Sequence, residues 1–356
     1  YLQNIAIDLL EEYKQYPELR DGFEDLSYLE KYNKEIDKLL STYVNTLPSL
    51  VNEETQKIHT TFNQALLAEA VWIDVAPETV LEKPLHINQV LSSSANGRAV
   101  PVRLMLDLGA RSQMTLVEEY ISSGDASALV NTVTEFNLAD GANITSIRLN
   151  MEGENVQHIG STGVLQQRSS RFESHTVGFG GPLRRHELQV RLEGEGAECK
   201  LNGVVVTQGK QHYDNHTTIE HVAAHCNSEE TYRNIAADQS HAVFNGRIHI
   251  HQDAQKSNAD MNNKNLLLSN GAEIDTKPEL EIYADDVKCA HGATIGQLDE
   301  ISLFYLVSRG IGRRQANVLL TMAFINELVE QIPVEAVRET VQGRLNHFFE
   351  QTFQEA

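Results

Sequence analysis

Leu106-Asp107-Leu108-Gly109-Ala110 is echoed by Leu138-Ala139-Asp140-Gly141-Ala142, and again by Leu192 through Glu195 leading into Gly196-Ala197. In each, a strand-like run ends in Gly-Ala. Glycine permits a tight turn and alanine needs little room, so coils of chain can stack closely there. Gly-Ala returns at Gly271-Ala272 and at Gly292-Ala293. Around these points, from Val71 to Gly296, short runs rich in Val, Ile, Leu and Thr alternate with Gly, Asn and Asp. Examples are Val71–Val75, Val102–Leu108, Ile144–Leu149, Leu188–Leu192, Val204–Thr207, Arg247–His251, Leu266–Leu268 and Leu280–Tyr283. This is strand–turn–strand texture, without the interleaved helices of a βαβ array. It predicts a mainly β body, with a solenoid or parallel β-helix in which each coil buries its face on the next. The repeat spacing is irregular, so a β-sandwich or jelly roll fits the same texture.

The flanks have a different period. Leu29, Tyr32, Ile36, Leu39, Leu40 and Tyr43 recur at helical steps with charged residues between them, and Phe62, Ala65 and Leu66 continue that spacing. After the β region, Ile301, Phe304, Tyr305 and Ser308 share one helical face, and Gly310 stands where a helix-terminating glycine belongs. Ala316, Leu319, Leu320, Ala323 and Phe324 mark a second helix that ends before Pro333; Val334, Val337, Val341, Leu345 and Phe348 mark a third. The expected organisation is a helical region over 1–70, a β core over 71–297 and a helical domain over 298–356. That helical unit must dock either on the β body or on a partner.

The chain has 356 residues, with 50 Asp or Glu against 29 Lys or Arg and a formal net charge of −21. An acidic surface argues against nucleic acid, whose phosphates are bound by clustered Lys and Arg. No stretch approaches the roughly 20 apolar residues that span a bilayer. The chain starts at Tyr1 without an initiator Met or a signal-peptide pattern, which reads as a trimmed N-terminus. Three cysteines, Cys199, Cys226 and Cys289, are too few for a disulfide framework and point to a reducing, cytoplasmic setting.

Tests for nucleotide sites fail. Gly203-Val204-Val205-Val206-Thr207-Gln208-Gly209-Lys210-Gln211 has one residue too many for a phosphate loop and lacks its Ser or Thr, and its valines read as a core strand. Gly178-Phe179-Gly180-Gly181 does not complete a dinucleotide fingerprint. His212, His216, His221 and His225 beside Cys226 suggest metal, but Val222 replaces the Glu of a zinc-protease helix, and polar residues on turns and solvated faces explain the series better. His249 and His251, with Asp253 next in phase, would share one strand face. Cys289-Ala290-His291 is the sharper signal. On an extended segment a thiol and an imidazole two residues apart project together, and both suit iron or zinc. Two ligands do not fill a four-coordinate site, and no Cys-x-x-Cys is available to complete it. Another chain or an external ligand would have to do so. A buried structural cysteine beside a surface histidine is the plainer alternative.

Several segments resemble the SufB/SufD family of iron–sulfur cluster assembly proteins, on its SufD side. They are Ala242-Val243-Phe244-Asn245-Gly246-Arg247-Ile248, Asn262-Asn263-Lys264-Asn265-Leu266-Leu267-Leu268, and the run from Asp275-Thr276-Lys277-Pro278 through Asp285-Asp286-Val287-Lys288-Cys289 to His291-Gly292-Ala293-Thr294. Phe304-Tyr305-Leu306 to Ser308-Arg309-Gly310 and, upstream, Trp72-Ile73-Asp74-Val75-Ala76-Pro77 with Glu82-Lys83-Pro84 fit as well. The resemblance is dense from about 240 to 312, recognisable near 62–87 and loose between. It implies a right-handed parallel β-helix with helical N-terminal and C-terminal regions. It also implies a non-catalytic scaffold that pairs with a SufB paralogue through the β-helix and carries the SufC ATPase on its C-terminal helices. The iron–sulfur cluster would be transient and shared with SufB, with no ATP site on this chain. His291 and Cys289 match positions that face SufB, and His291 is the stronger candidate ligand. Leu319, Leu320, Phe324, Val341 and Phe348 are the expected partner-binding residues. Two other readings compete: a purely structural partner without metal ligands, and a polysaccharide-active β-helix enzyme. The enzyme would need clustered carboxylates or basic residues on an exposed face.

Overall fold

The structure is a computed structural model that describes residues 60, 62–67 and 70–353. Most of the helical expectation for 1–70 lies outside the described residues; residues 62–66 are helical. Sixteen strands follow. β1 (Val71–Val75), β3 (Ala99–Leu108), β5 (Leu129–Leu138), β7 (Gln157–Gln166), β9 (Leu183–Leu192), β11 (His212–His221), β13 (His241–Ile250) and β15 (Glu273–Ile282) form one parallel sheet in that order. β2 (Leu85–Leu91), β4 (Gln113–Ser122), β6 (Asn143–Asn150), β8 (Arg171–Phe179), β10 (Glu198–Thr207), β12 (Asn227–Ala236), β14 (Asn258–Leu267) and β16 (Lys288–Gln297) form the other. The chain alternates between an odd and an even sheet, so each coil contributes one strand to both. This is the parallel β-helix, and all eight strand-like runs of the sequence fall in or at the end of its strands. The sandwich and the jelly roll are ruled out because consecutive strands never pair; each pairs with the strand two further on.

The corners explain why the repeat was only half visible. The residue two before β4, β6, β8, β10, β12 and β14 has positive φ every time: Arg111, Gly141, Ser169, Gly196, His225 and Lys256. The first five donate their N–H to the carbonyl preceding the equivalent corner residue one coil on, as Gly141 does to Arg168 (2.8 Å) and His225 to Gln255 (2.9 Å), and Lys256 donates to the Asp286 carbonyl (2.6 Å). The residue after it is small and fully buried: Ser112, Ala142, Ser170, Ala197, Cys226 and Ser257. Glycine takes this left-handed conformation most readily, yet only two of the six corners have it. Coil length also drifts, from 26 residues between the partners His158 and Arg184 to 33 between Val71 and Leu104. Gly292-Ala293 lies inside β16 and marks no corner.

The space between the sheets is divided lengthwise. Near the corners just described, Leu106, Leu108, Met114, Leu116, Leu138, Ile144, Phe172, Leu201 and Phe244 form the main apolar core. Gly203 lies beneath the Tyr232 ring, where a Cβ would sit 2.0 Å from a ring carbon, so a larger residue would displace it. Its neighbours Val204, Val205 and Val206 are buried as a core strand.

The other half of the interior is polar. Arg148 lies 3.4 Å from Glu118 and donates to Thr132 Oγ1 (2.7 Å). Arg184 donates to Glu152 Oε2 (2.6 Å), to the Glu152 carbonyl (3.1 Å) and to the Gly180 carbonyl (2.7 Å). Arg184 is thus paired at all three of its nitrogens, as a buried ion requires, while the Arg148 Nε has no hydrogen-bond partner among the described residues. Burial would raise the Glu152 carboxyl, but Arg184 and His158 overcome it and hold it at about 2.

Three helices close the described chain: α1 (Glu300–Ser308), α2 (Arg313–Val329) and α3 (Glu335–Thr352). Asp299 caps α1 by accepting from the N–H groups of Ile301 and Ser302, and Gly310 follows with φ of 91°. α2 and α3 lie on the outer face of the even sheet. Val318, Ile325, Leu328, Val341, Leu345, Phe348 and Phe349 pack there with Val117, Ile147, Val177, Val204, Val206 and Ile235. Each such side chain stabilises the dock by roughly 1.5–3 kcal/mol. No helix among the described residues is long and apolar enough to cross a membrane.

Candidate functional site

The last coil sets the site. β15 and β16 stand at the ends of their sheets, each with a single hydrogen-bonded neighbour strand among the described residues. Cys289 and His291 lie on β16 in register with Ala259 and Met261 of β14. Ala259 and Met261 point inward and are 3% and 1% exposed. Cys289 and His291 continue those two inward columns, but no further coil among the described residues covers them. Cys289 is half-buried against the apolar core and His291 is exposed. The strand geometry thus puts thiol and imidazole on one face, as the spacing predicted.

Burial raises the Cys289 thiol above its ordinary range, so it is a neutral thiol until a metal or base takes its proton. Beside it runs an open groove of about 940 Å³ along the starts of the even strands, lined by Cys199, Lys200, Glu229, Asp260, Lys288 and Cys289 among others. The three cysteines are all free. Cys226 is one of the small corner residues, which is a packing role, and Cys199 is fully buried with its thiol pushed well up by burial and by Glu230.

The other expected residues are scattered. His221 does not lie on a solvated face: it is fully buried, 2.8 Å from Ser228 Oγ, and burial lowers it to about 4. His225 occupies a left-handed corner. His249 and His251 do come together, with ring centroids 4.3 Å apart, while Asp253 leaves on the following turn. Of the residues expected to bind a partner, Val341 and Phe348 are buried in this chain's own helix–sheet interface, and Leu320 and Phe324 are half-buried; Leu319 remains 45% exposed. Val341 and Phe348 both help hold α3 to the sheet. Among the C-terminal helices, the most uncovered apolar surface is on α1, where Ile301, Phe304 and Tyr305 are 79%, 73% and 56% exposed.

The match to known proteins covers most of this frame. Residues 90–324 fit the family model described as SUF system FeS cluster assembly, SufBD core domain. The chain belongs to the SufB/SufD family. It is 36% identical over 266 residues to the iron–sulfur cluster assembly protein SufD of Escherichia coli, which covers 74% of this chain and 63% of that one. A SufBD-family iron–sulfur cluster assembly protein of Synechocystis is 33% identical over 297 residues, covering 81% and 65%. SufD of Bacillus subtilis is 28% identical over 282 residues, covering 79% and 64%. The matched stretch therefore spans a little under two thirds of these relatives. Within the SufB/SufD family model, β3 to β16 form the uninterrupted part, and both Cys289 and His291 lie inside it.

Sequence reasoning missed the buried polar half of the interior. Its signal was present in Glu230-x-Tyr232-x-Asn234 and Asn263-x-Asn265, where polar residues share the phase of the apolar residues that precede them on the strand. Alternation alone assigns such residues to solvent.

Proposed function

We propose that this chain is a non-catalytic scaffold subunit for iron–sulfur cluster assembly, pairing with a SufB-like paralogue through the open end of its β-helix. The observation that carries this reading is the uncovered last coil. Two sheet edges with unpaired backbone groups lie side by side, and an exposed edge is a template for another chain's strands. The same coil presents Cys289 and His291, two ligands of an incomplete set that a facing subunit could complete. The cluster is cargo here, held transiently and shared with the paralogue. His291 is the accessible donor; Cys289 joins it once deprotonated.

In this reading the division at 70 and 297 is functional: the β core pairs, and the C-terminal helical domain carries a SufC-like ATPase. The exposed face of α1, with Leu319 on α2, is the surface that fits such a partner, since α2 and α3 spend most of their apolar residues on the even sheet. Nucleotide chemistry then belongs to the ATPase, in keeping with the failed phosphate-loop pattern. Neither nucleic acid nor a membrane is a partner, and three free thiols suit the cytoplasm.

The test is native mass after co-expression with SufB-like and SufC-like proteins. One copy of this chain with one SufB and two SufC is the expected assembly; a homodimer that ignores both partners overturns the reading. Within the assembled complex, His291→Ala should lower cluster formation severalfold. Assembly at the parental rate would leave a purely structural partner.

A further inference from the structure

On the outer face of the odd sheet, His212, His241 and Glu273 are successive register partners on β11, β13 and β15, and Asp275 follows Glu273 on the same face. One ligand atom each from His241, Glu273 and Asp275 lies within 4.8 Å of the others. His241 Nε2 is 2.9 Å from Asp275 Oδ2, and the His212 ring meets the His241 ring edge-on with centroids 4.8 Å apart. Two parallel strands fix the spacing of these three groups, so little has to be ordered for them to converge, and the ring contact places His212 on the third strand beside them.

The charge balance is unusual for this face. Asp214 and Glu187 both bind Arg185, Glu220 binds Arg191, Glu281 binds Arg247, and Glu279 binds Lys277 at 2.7 Å. Glu273 and Asp275 have no Lys or Arg partner among the described residues; Asp275 has only His241. Two adjacent carboxylates without a cation repel each other, and two imidazoles supply nitrogen donors where an arginine would otherwise serve.

We propose that His241, Glu273 and Asp275, with His212 as the fourth group, bind one first-row divalent cation, ferrous iron or zinc. Mixed imidazole and carboxylate donors suit these ions, whereas magnesium takes oxygen donors in a stricter octahedron. The site lies on the opposite sheet from Cys289 and His291 and stands independently of the partner reading above.

Cobalt(II) added anaerobically to the tag-free full chain tests it. One equivalent should give visible d–d bands, with zinc and ferrous iron displacing it and millimolar magnesium leaving it in place. His241→Ala, at a half-buried position, and Glu273→Gln, at an exposed one, should each weaken binding at least tenfold, while Cys289→Ala binds as the parent does. Bands unchanged in both site variants, binding only at millimolar cobalt, equal displacement by magnesium, or a thiolate charge-transfer band lost with Cys289 would each overturn the proposal.

Discussion

Met261 and His291 are neighbours in one inward-facing column of the even sheet, yet Met261 is 1% exposed and His291 is open to solvent. Backbone, sheet and phase are the same; only the presence of a following coil differs. In the middle of the solenoid an inward group is sealed by the next coil, so one left unpacked or without hydrogen bonds costs stability. At the last coil the same position is released from that demand and can hold a reactive or ligating group. The contrast predicts where substitution damages the fold and where it damages only an interaction.

The largest effect belongs in the middle. Arg184 is 1% exposed and neutralises Glu152 while donating to two backbone carbonyls. Arg184→Ala removes the cation and leaves a buried carboxylate with His158 alone, so it should cost about 3–5 kcal/mol of stability. Urea unfolding checks this: the midpoint should fall steeply with an unchanged slope. A shift under about 1 kcal/mol would mean that the interior is wetter than its burial indicates.

Much of this frame was legible in the sequence, but unevenly. Val71–Val75 is a strand to the residue, and Cys289 and His291 share a face because they lie on one. The corner repeat was obscured because Arg111, Ser169, His225 and Lys256 take left-handed conformations that glycine would have signalled. Their stacked backbone hydrogen bonds offset the strain, which is a tertiary effect invisible to local pattern. The helices show a related limit. The period that puts Val341 and Phe348 against the sheet is the same period that puts Ile301 and Phe304 into solvent. Periodicity identifies a face, while the identity of what covers it depends on the rest of the molecule.

Glu230 lies between the two regimes. Of the buried carboxylates, Glu118, Glu152, Glu187 and Glu220 each have an arginine, whereas Glu230 has none. It is in register with Met261 and lies one coil further in. Burial raises its carboxyl to about 7, with Thr217 opposing the shift. For an acid whose folded value exceeds its unfolded one, stability is full below the unfolded value near 4.5. It declines as pH rises and levels off above about 7, because the folded chain holds a proton that the unfolded chain has released. The span corresponds to about 3 kcal/mol. Glu230→Gln should therefore match the parent near pH 4.5 and exceed it by roughly 2–3 kcal/mol at pH 8. Parallel stability curves for parent and variant between those limits would show that the carboxyl is solvated or paired after all.

The smallest effect on the isolated chain belongs at the open end. His291 makes no hydrogen bond or ion pair among the described residues, and its side chain is exposed, so His291→Ala should change stability by no more than about 0.5 kcal/mol. The informative comparison is between states of assembly. If a facing subunit seals the last coil, position 291 acquires in the complex the constraint that position 261 already has in the free chain. His291→Ala should then be silent in urea unfolding of the isolated chain but measurable in the complex, as a faster dissociation or a lower yield of cluster. An equal and negligible effect in both states would mean that the column stays open after assembly. The resemblance between Met261 and His291 would then be one of backbone alone.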